Sequence, residues 1–450
     1  MNKNNINKEI LRLSLPAIVS NITVPLLGLC DTAISGHLGS EMFLAAIAVG
    51  SVMLNVVFWL FGFLRMGTTG LTANAFGAGD DEGVRKVFSR AFFLAIAAGV
   101  ILILFRYPLL ELLSAVVGAD KEVEGFVEDY FLIRIWGAPA LLGVMAISGW
   151  LVGMQSTFYP MVIAISVNIV NIISSFLLVF PARMGFPGVA LGTLISNWVG
   201  LVIAFLCVLK LRKGQKVWCR RGELLEGDGL RRFFSVNSNL FVRSACIICV
   251  TMGVTAAGAR LGTLTLAVNV VVMQFFQFFS FFMDGFAFSG EALIGRWYGA
   301  ADRGMLTRYF KALLFWTAGM ALFFSAIYTL GIKPVTELLT DSGNVREGVE
   351  GMWIWIAMIP IVSAWAFIYD GFFVGITDTR RMMWATITAS GVFFLLAFVR
   401  INGEGIRISV EDNTQIWSAF LGYLFMRGAF LAMAWRPSLR RRMQLAESNR

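Results

Sequence analysis

Histidine is almost missing from this chain of 450 residues: His37 is the single copy. A histidine-based triad or a His/Cys metal centre has no material to be built from. Cysteine is sparse as well. Cys30, Cys207, Cys219, Cys246 and Cys249 make no spaced framework outside the apolar runs, which excludes a small disulfide-stapled domain. Cys246-x-x-Cys249 has redox-motif spacing, but it falls inside an apolar run and reads as two packed thiols. Charge is the third scarcity, at 14% of residues. A chain with so little charge cannot cover several soluble domains with a solvated surface. No cluster of nucleophile, base and metal ligand is present, so no enzyme is expected, and no resident metal or cofactor.

What fills the chain instead is apolar. Hydrophobic residues make up 58%, with 40 Phe and 13 Trp, and mean hydropathy is +0.75. Bulk of this kind suits lipid contact and interfacial belts. In a soluble protein the formal net charge of +9 would point to nucleic acid. The basic residues, however, sit in short gaps between apolar runs, where they act as topology signals. The N-terminus is basic and then apolar, without a small-x-small cleavage site after a short core, and reads as a retained first span.

The chain also repeats itself. The stretch from His37 to Ala91 returns, diluted, about 222 residues later, from Arg260 onward. Leu38-Gly39 pairs with Leu261-Gly262, Phe76-Gly77 with Tyr298-Gly299, and Val152-Gly153 with Val374-Gly375. Two apolar halves with internal similarity describe a two-lobed membrane transporter.

A span needs about 20 mostly apolar residues. The first six such runs are roughly 10–36, 43–75, 88–112, 124–152, 159–181 and 187–210. The second six are roughly 232–258, 264–295, 308–331, 348–376, 382–401 and 414–435. The expected fold class is all-α and integral to the membrane, with twelve transmembrane helices in two six-helix lobes. The N-lobe takes 1–210, a cytoplasmic basic linker 211–231, and the C-lobe 232–450. With the N-terminus inside, the inner segments hold Arg85, Lys86, Arg90, the linker cluster, Arg303, Arg308, Arg380, Arg381 and Arg436. The outer ones hold few, such as Lys121, Arg183, Lys333 and Arg407, beside the acidic run that starts at Asp120. Both termini are thus expected in the cytoplasm. Six spans separate equivalent positions, so the lobes are expected to be related by a pseudo-two-fold axis along the membrane normal.

Three stretches carry a family resemblance. They are Pro16-Ala-Ile-Val-Ser-Asn with Gly28-Leu-Cys-Asp31-Thr-Ala-Ile-Ser-Gly-His-Leu-Gly39, then Asp284-Gly-Phe-Ala-Phe-Ser-Gly-Glu291, then Asp370-Gly-Phe-Phe-Val-Gly-Ile-Thr-Asp-Thr-Arg380. Together with the repeat, the chain resembles the multidrug and toxic compound extrusion (MATE) transporters, and within them the DinF-type branch. The resemblance implies secondary active export of amphipathic, often cationic compounds, driven by inward H⁺ or Na⁺. It also exposes a departure. Some relatives carry a second acid in the fifth span after an Asn-Ile-Ile-x pattern, and here Asn171-Ile-Ile-Ser is followed by Ser175.

An ionisable group at the centre of a span costs about 2.5–3.5 kcal/mol on insertion scales, so each one is a functional candidate. Asp31, between Gly28 and Gly36, is the candidate cation-coupling residue. The same helix carries Pro16 and Pro25, which are expected to kink it. Asn168, Asn171 and Ser175 on span 5, with Asn197 on span 6, are candidates for a polar network around Asp31; packing contacts between helices are the equal alternative. In the C-lobe, Arg243, Asp284, Glu291 and Asp370 read as a charge-paired cluster, with Arg243 neutralising Asp284. A second protonation site is the other reading. Arg65 and Arg134 are expected to pair or snorkel.

The expected function is multidrug efflux by alternating access at the bacterial inner membrane. A proton, or Na⁺ as the alternative ion, would exchange against a small amphipathic organic substrate in a monomeric protein surrounded by membrane lipid, with no nucleic acid partner. The rival is a flippase for lipid-linked oligosaccharide on a related scaffold, which would ask for several cavity cations to hold pyrophosphate. Topology gives the first test. In a background without native cysteines, single cysteines at Gln215 and Asp302 should be shielded from an impermeant thiol reagent outside intact cells, and one at Asn344 should react. Labelling at Gln215 would reverse the orientation.

Overall fold

The computed structural model describes residues 3–38, 40–117, 121–224, 227–402 and 405–448; Gly39 and Asp120 lie outside them. The first half comprises α1 (Lys3–Gly36), α2 (Glu41–Leu60), α3 (Phe63–Gly77), α4 (Asp81–Leu104), α5 (Arg106–Val117), α6 (Glu124–Arg134), α7 (Ala138–Gly153), α8 (Phe158–Val179) and α9 (Phe186–Arg212). After the short α10 (Arg221–Leu224) come α11 (Gly227–Arg260), α12 (Thr263–Gly299), α13 (Arg303–Leu339), α14 (Gly343–Gly351), α15 (Trp353–Gly375) and α16 (Thr379–Phe398). The strands β1 (Val399–Asn402) and β2 (Gly405–Ile408) then precede α17 (Asn413–Ser448). Among the described residues, 12 helical stretches are long and apolar enough to cross a membrane. The second runs through α2 and α3, the fourth through α6 and α7. Every span expected from the sequence is there.

Ends differ where local chemistry intervenes. The third span stops at Leu104, and α5 starts at Arg106 with Pro108 in its first turn, where a missing N–H costs little. The tenth breaks at Met352 between α14 and α15. The eleventh was expected to run to residue 401, yet α16 ends at Phe398 and the chain enters an antiparallel hairpin pairing Val399 with Ile408 and Asn402 with Gly405.

The repeat is repeated in geometry. Asp80 caps α4 by accepting from the Gly83 amide at 2.8 Å, and Asp302 caps α13 by accepting from the Met305 amide at 2.9 Å. The residues just before these caps, Gly79 and Ala301, both turn the chain at positive φ, 72° and 56°. Gln155 and Thr377 do the same at φ 64° and 55° after α7 and α15. Close helix contacts match too. A Cβ at Gly149 would run into the backbone of Arg65, and one at Gly371 into the backbone of Ala287. All these pairs share the offset of about 222 residues.

Packing divides the chain into two compact units, Val19–Asn237 and Met1–Ile18 with Ser238–Arg450. These limits differ from the lobes 1–210 and 232–450 read from span order. The chain changes unit inside α1 and inside α11, not in the loops between helices. The first turns of α1 belong with the second half because their side chains bond there: Trp316 Nε1 donates to Asn7 Oδ1 at 3.3 Å, and Ser14 Oγ lies 2.7 Å from Ser289 Oγ. The linker belongs with the first half for the same reason. Arg212 pairs with Asp81 at 2.6 Å, Arg90 donates to the carbonyls of Leu224 and Glu223 at 3.0 Å, and the Cys219 amide donates to Ser89 Oγ at 3.1 Å. Trp218 completes the attachment by packing edge-on against Phe88 and Phe92 and tilted against Phe93 and Phe205.

Large apolar side chains remain exposed along the helices, among them Phe315, Leu330 and Met433. On 12 spans of this composition they face hydrocarbon. A stability test follows from the paired glycines. Gly149→Ala and Gly371→Ala should each destabilise by about 1–3 kcal/mol, because a methyl must displace backbone. Gly319→Ala, which meets open space, should not lower the melting temperature of the detergent-solubilised protein. Equal melting of all three would contradict the close approach.

Candidate functional site

Asp31 is 3% exposed on α1. Its Oδ2 faces Thr193 Oγ1 of α9 at 3.3 Å, and the same hydroxyl accepts from Asn171 Nδ2 of α8 at 2.9 Å. Thr193 has one hydroxyl hydrogen. It can go to Asp31 or to the Val189 carbonyl at 3.2 Å. The other carboxyl oxygen, Asp31 Oδ1, is buried without a hydrogen-bond partner, as are Asn171 Oδ1 and Ser175 Oγ. Two neighbouring helices, α1 and α8, thus present buried oxygens without a hydrogen-bond partner. Buried acceptors of this kind ask for a proton, a water or a cation.

The helices are placed for this by small and polar residues. Ser175 packs onto Gly192, next to Thr193, where no side chain intervenes between α8 and α9. Ser174 Oγ donates across the same contact to the Gly192 carbonyl at 3.0 Å. One level along, Asn168 Nδ2 donates to the Thr23 carbonyl of α1 at 2.7 Å. That bond falls in the stretch where Pro25 has removed a backbone donor. α1 is nevertheless one helix from Lys3 to Gly36, through both Pro16 and Pro25.

Of the expected polar network, Asn171 joins Asp31 through Thr193, Asn168 holds α1 by its backbone, and Ser175 lines the α8–α9 contact. Asn197 goes elsewhere: its amide packs on Gly137, where α6 meets α7. Thr193 was missed by the sequence reading. Its only signal was a hydroxyl one turn before Asn197 in an otherwise apolar span. Arg134 does pair, donating to Tyr130 Oη at 2.6 Å, with Tyr130 Oη 3.1 Å from Ser51 Oγ. Its charge acts on Asp31.

The second unit solves its charges differently. Asp370 Oδ2 accepts from Arg243 Nη2 of α11 and from Arg427 Nη2 of α17, the latter at 3.0 Å. Arg427 also donates to Tyr423 Oη at 3.0 Å and lies over the rings of Tyr423 and Phe367. The expected partner of Arg243 was Asp284. Asp370 is an acid it bonds, and Asp284 acts on Arg427 through its charge. Arg427, well inside the last span, had not been singled out from the sequence. Glu291 is buried on α12 with its carbonyl against Gly375. Both guanidinium groups on one carboxylate make a clamp across α11, α15 and α17.

The N-half site yields a direct test. Thr193→Val removes the hydroxyl that serves both Asp31 and Asn171. It should cost about 1–3 kcal/mol through orphaned polar groups, read as a lower melting temperature, and Thr193→Ser should restore it. Equal stability of all three would remove Thr193 from the network.

Comparison with known proteins agrees with this architecture. The family model described as MatE matches residues 16–177 and 240–399. The chain is 34% identical over 433 residues to the DNA damage-inducible protein F of Escherichia coli (strain K12), covering 96% of this chain and 92% of that protein. It is 30% identical over 369 residues to a probable multidrug resistance protein NorM of Thermotoga maritima, covering 76% and 74%. Among solved structures, MATE in the bent conformation superposes with a TM-score of 0.83 at 17% identity, covering 99% of this chain and 97% of that one. The Vibrio cholerae MATE transporter VcmN in the bent form gives 0.80 at 18%, covering 98% of each. At that identity the likeness speaks for the fold alone.

Proposed function

The chain belongs to the MatE family of efflux transporters, and from that premise we propose that it exports amphipathic, often cationic compounds in exchange for protons taken up at Asp31. It is a multi-pass membrane transporter, not an enzyme. The observation that carries the proposal is the buried Asp31 carboxyl, with one oxygen on Thr193 and the other without a hydrogen-bond partner. A proton on Oδ1 satisfies that arrangement and removes the charge. Loss of the proton leaves an anion that a cationic substrate or a conformational change must answer.

The proton is favoured over Na⁺ by what surrounds the acid. Sodium is a hard cation that wants a full oxygen shell with compensating charge. Here Ser175 stands where a second carboxylate would be, and the fixed guanidinium charge of Arg134 already acts on Asp31. The flippase alternative needs free cavity cations. Arg134 is engaged by Tyr130, and Arg243 and Arg427 by Asp370. The basic residues support cytoplasmic termini; insertion in a bacterial inner membrane and a monomeric state belong to the same proposal.

Asp31→Asn tests the proposal. The amide keeps the shape and brings a donor to the unpartnered oxygens, so the fold should stand. Substrate export driven by an imposed pH gradient in proteoliposomes, matched for protein, should fall to the level of empty vesicles. Export at the parent's rate would remove Asp31 from coupling and leave Asp284, Glu291 and Asp370 to be tried.

A further inference from the structure

The helix that carries Asp31 begins in the other packing unit. Residues 3–18 of α1 lie with the second half of the chain, whereas Asp31 lies with the first. This anchorage is specified residue by residue. Ile6, Ile10, Leu13 and Ala17 form one buried stripe at helical spacing. Gly285 of α12 lets the backbone at Ser14 and Ile18 approach directly; a Cβ there would meet the Ser14 carbonyl at 3.0 Å. Ser289 Oγ reaches both Ser14 Oγ and the Ile10 carbonyl.

One carboxylate sits in this anchor. Glu9 Oε1 accepts from Arg296 Nη1 of α12 at 3.0 Å, and Glu9 Oε2 accepts from the Tyr309 hydroxyl of α13. Both oxygens are taken, by two different helices. Asn7 adds a bond to Trp316 of α13 one turn away.

The second half returns the exchange. The first turns of α11, up to Asn237, lie with the first unit, where Asn237 packs on Gly67. Gly67 and Ser289 are equivalent positions in the repeat, so both halves use this level of the structure to hold the other half's first span. There Arg90 bonds backbone carbonyls of the linker. α1 is thus the helix that joins a charged anchor in one unit to a buried acid in the other. Twenty-two residues of α1 separate Glu9 from Asp31.

We infer that Glu9 is a positioning residue for transport: it fixes the start of the Asp31 helix on α12 and α13, so that a proton change at Asp31 reaches the second unit along one helix. The inference rests on the coupling role proposed for Asp31. A helix held at both ends transmits displacement. A helix released at one end turns or slides, and the proton bound at the other end no longer commits the protein to a conformational step. Glu9 neither touches the coupling site nor needs to titrate.

The test measures substrate exported per proton entering, in proteoliposomes of the full chain. Glu9→Ala should lower that ratio severalfold, and Glu9→Gln, which still accepts from Tyr309, should lower it less. Substrate affinity should stay within twofold of the parent, and the infrared band of the protonated Asp31 carboxyl should persist. The charge exchange Glu9→Arg with Arg296→Glu should recover at least half of the ratio. An unchanged ratio in Glu9→Ala overturns the inference. So does a slower turnover at unchanged ratio, which is what a merely structural residue would give, or a charge exchange no better than its single variants. Asp31→Asn is measured alongside. If it still exports under a pH gradient, the coupling proposal has failed, and that result is separate from any change in ratio at Glu9.

Discussion

A charge inside a membrane helix must be answered, because no water is there to solvate it. The chain meets this constraint in two opposite ways. In the second half, Asp370 is held by two guanidinium groups on neighbouring helices. Such a cluster is expensive to open, since loss of any member strands a buried partner. In the first half, Asp31 has one weak hydroxyl contact at 3.3 Å and one empty oxygen. Each acid keeps one oxygen without a hydrogen-bond partner, but Asp370 bonds two guanidinium groups where Asp31 meets a hydroxyl. That difference between a charge clamp and a hydroxyl contact is the physical basis for proposing coupling in the first half.

The helix that bears Asp31 is also the one that passes between packing units. Its first turns are tied to α12 and α13 by an ion pair, a serine pair and a tryptophan. Its later turns meet α8 at Thr23, through Asn168, and α9 at Asp31, through Thr193. Two prolines lie between these attachments. Each removes one backbone bond and so softens the rod at chosen points. Residues that hold α1 therefore bear on function even where they lie far from the acid.

Much of this was legible in the sequence. Hydropathy gave all 12 spans because a bilayer forces long apolar helices. The offset of about 222 residues, read from a few Leu-Gly and Val-Gly pairs, recurs in helix caps, positive-φ turns and glycine contacts. Asp31 stood out because an acid in an apolar run has few bland explanations. What stayed hidden depends on rotation. Periodicity tells which residues share a face but not which helix that face meets. The bond from Arg243 to Asp370 was therefore not foreseen, and Asn197, expected near Asp31, packs on Gly137. Thr193 and Arg427 were overlooked because a lone hydroxyl or arginine in a span does not say which helix it meets. The exchanged starts of α1 and α11 could not be seen at all, since span order carries no information on which unit a helix turn joins.

The central claim is that binding of a cationic substrate and loss of the Asp31 proton are linked. Linkage makes this measurable without a membrane gradient. Substrate added to the purified protein in weakly buffered detergent solution should release protons, about one per molecule bound at saturation when Asp31 starts protonated. The Asp31→Asn variant should bind and release none. Equal release by parent and variant, or none by the parent at any pH where it binds, would contradict the account.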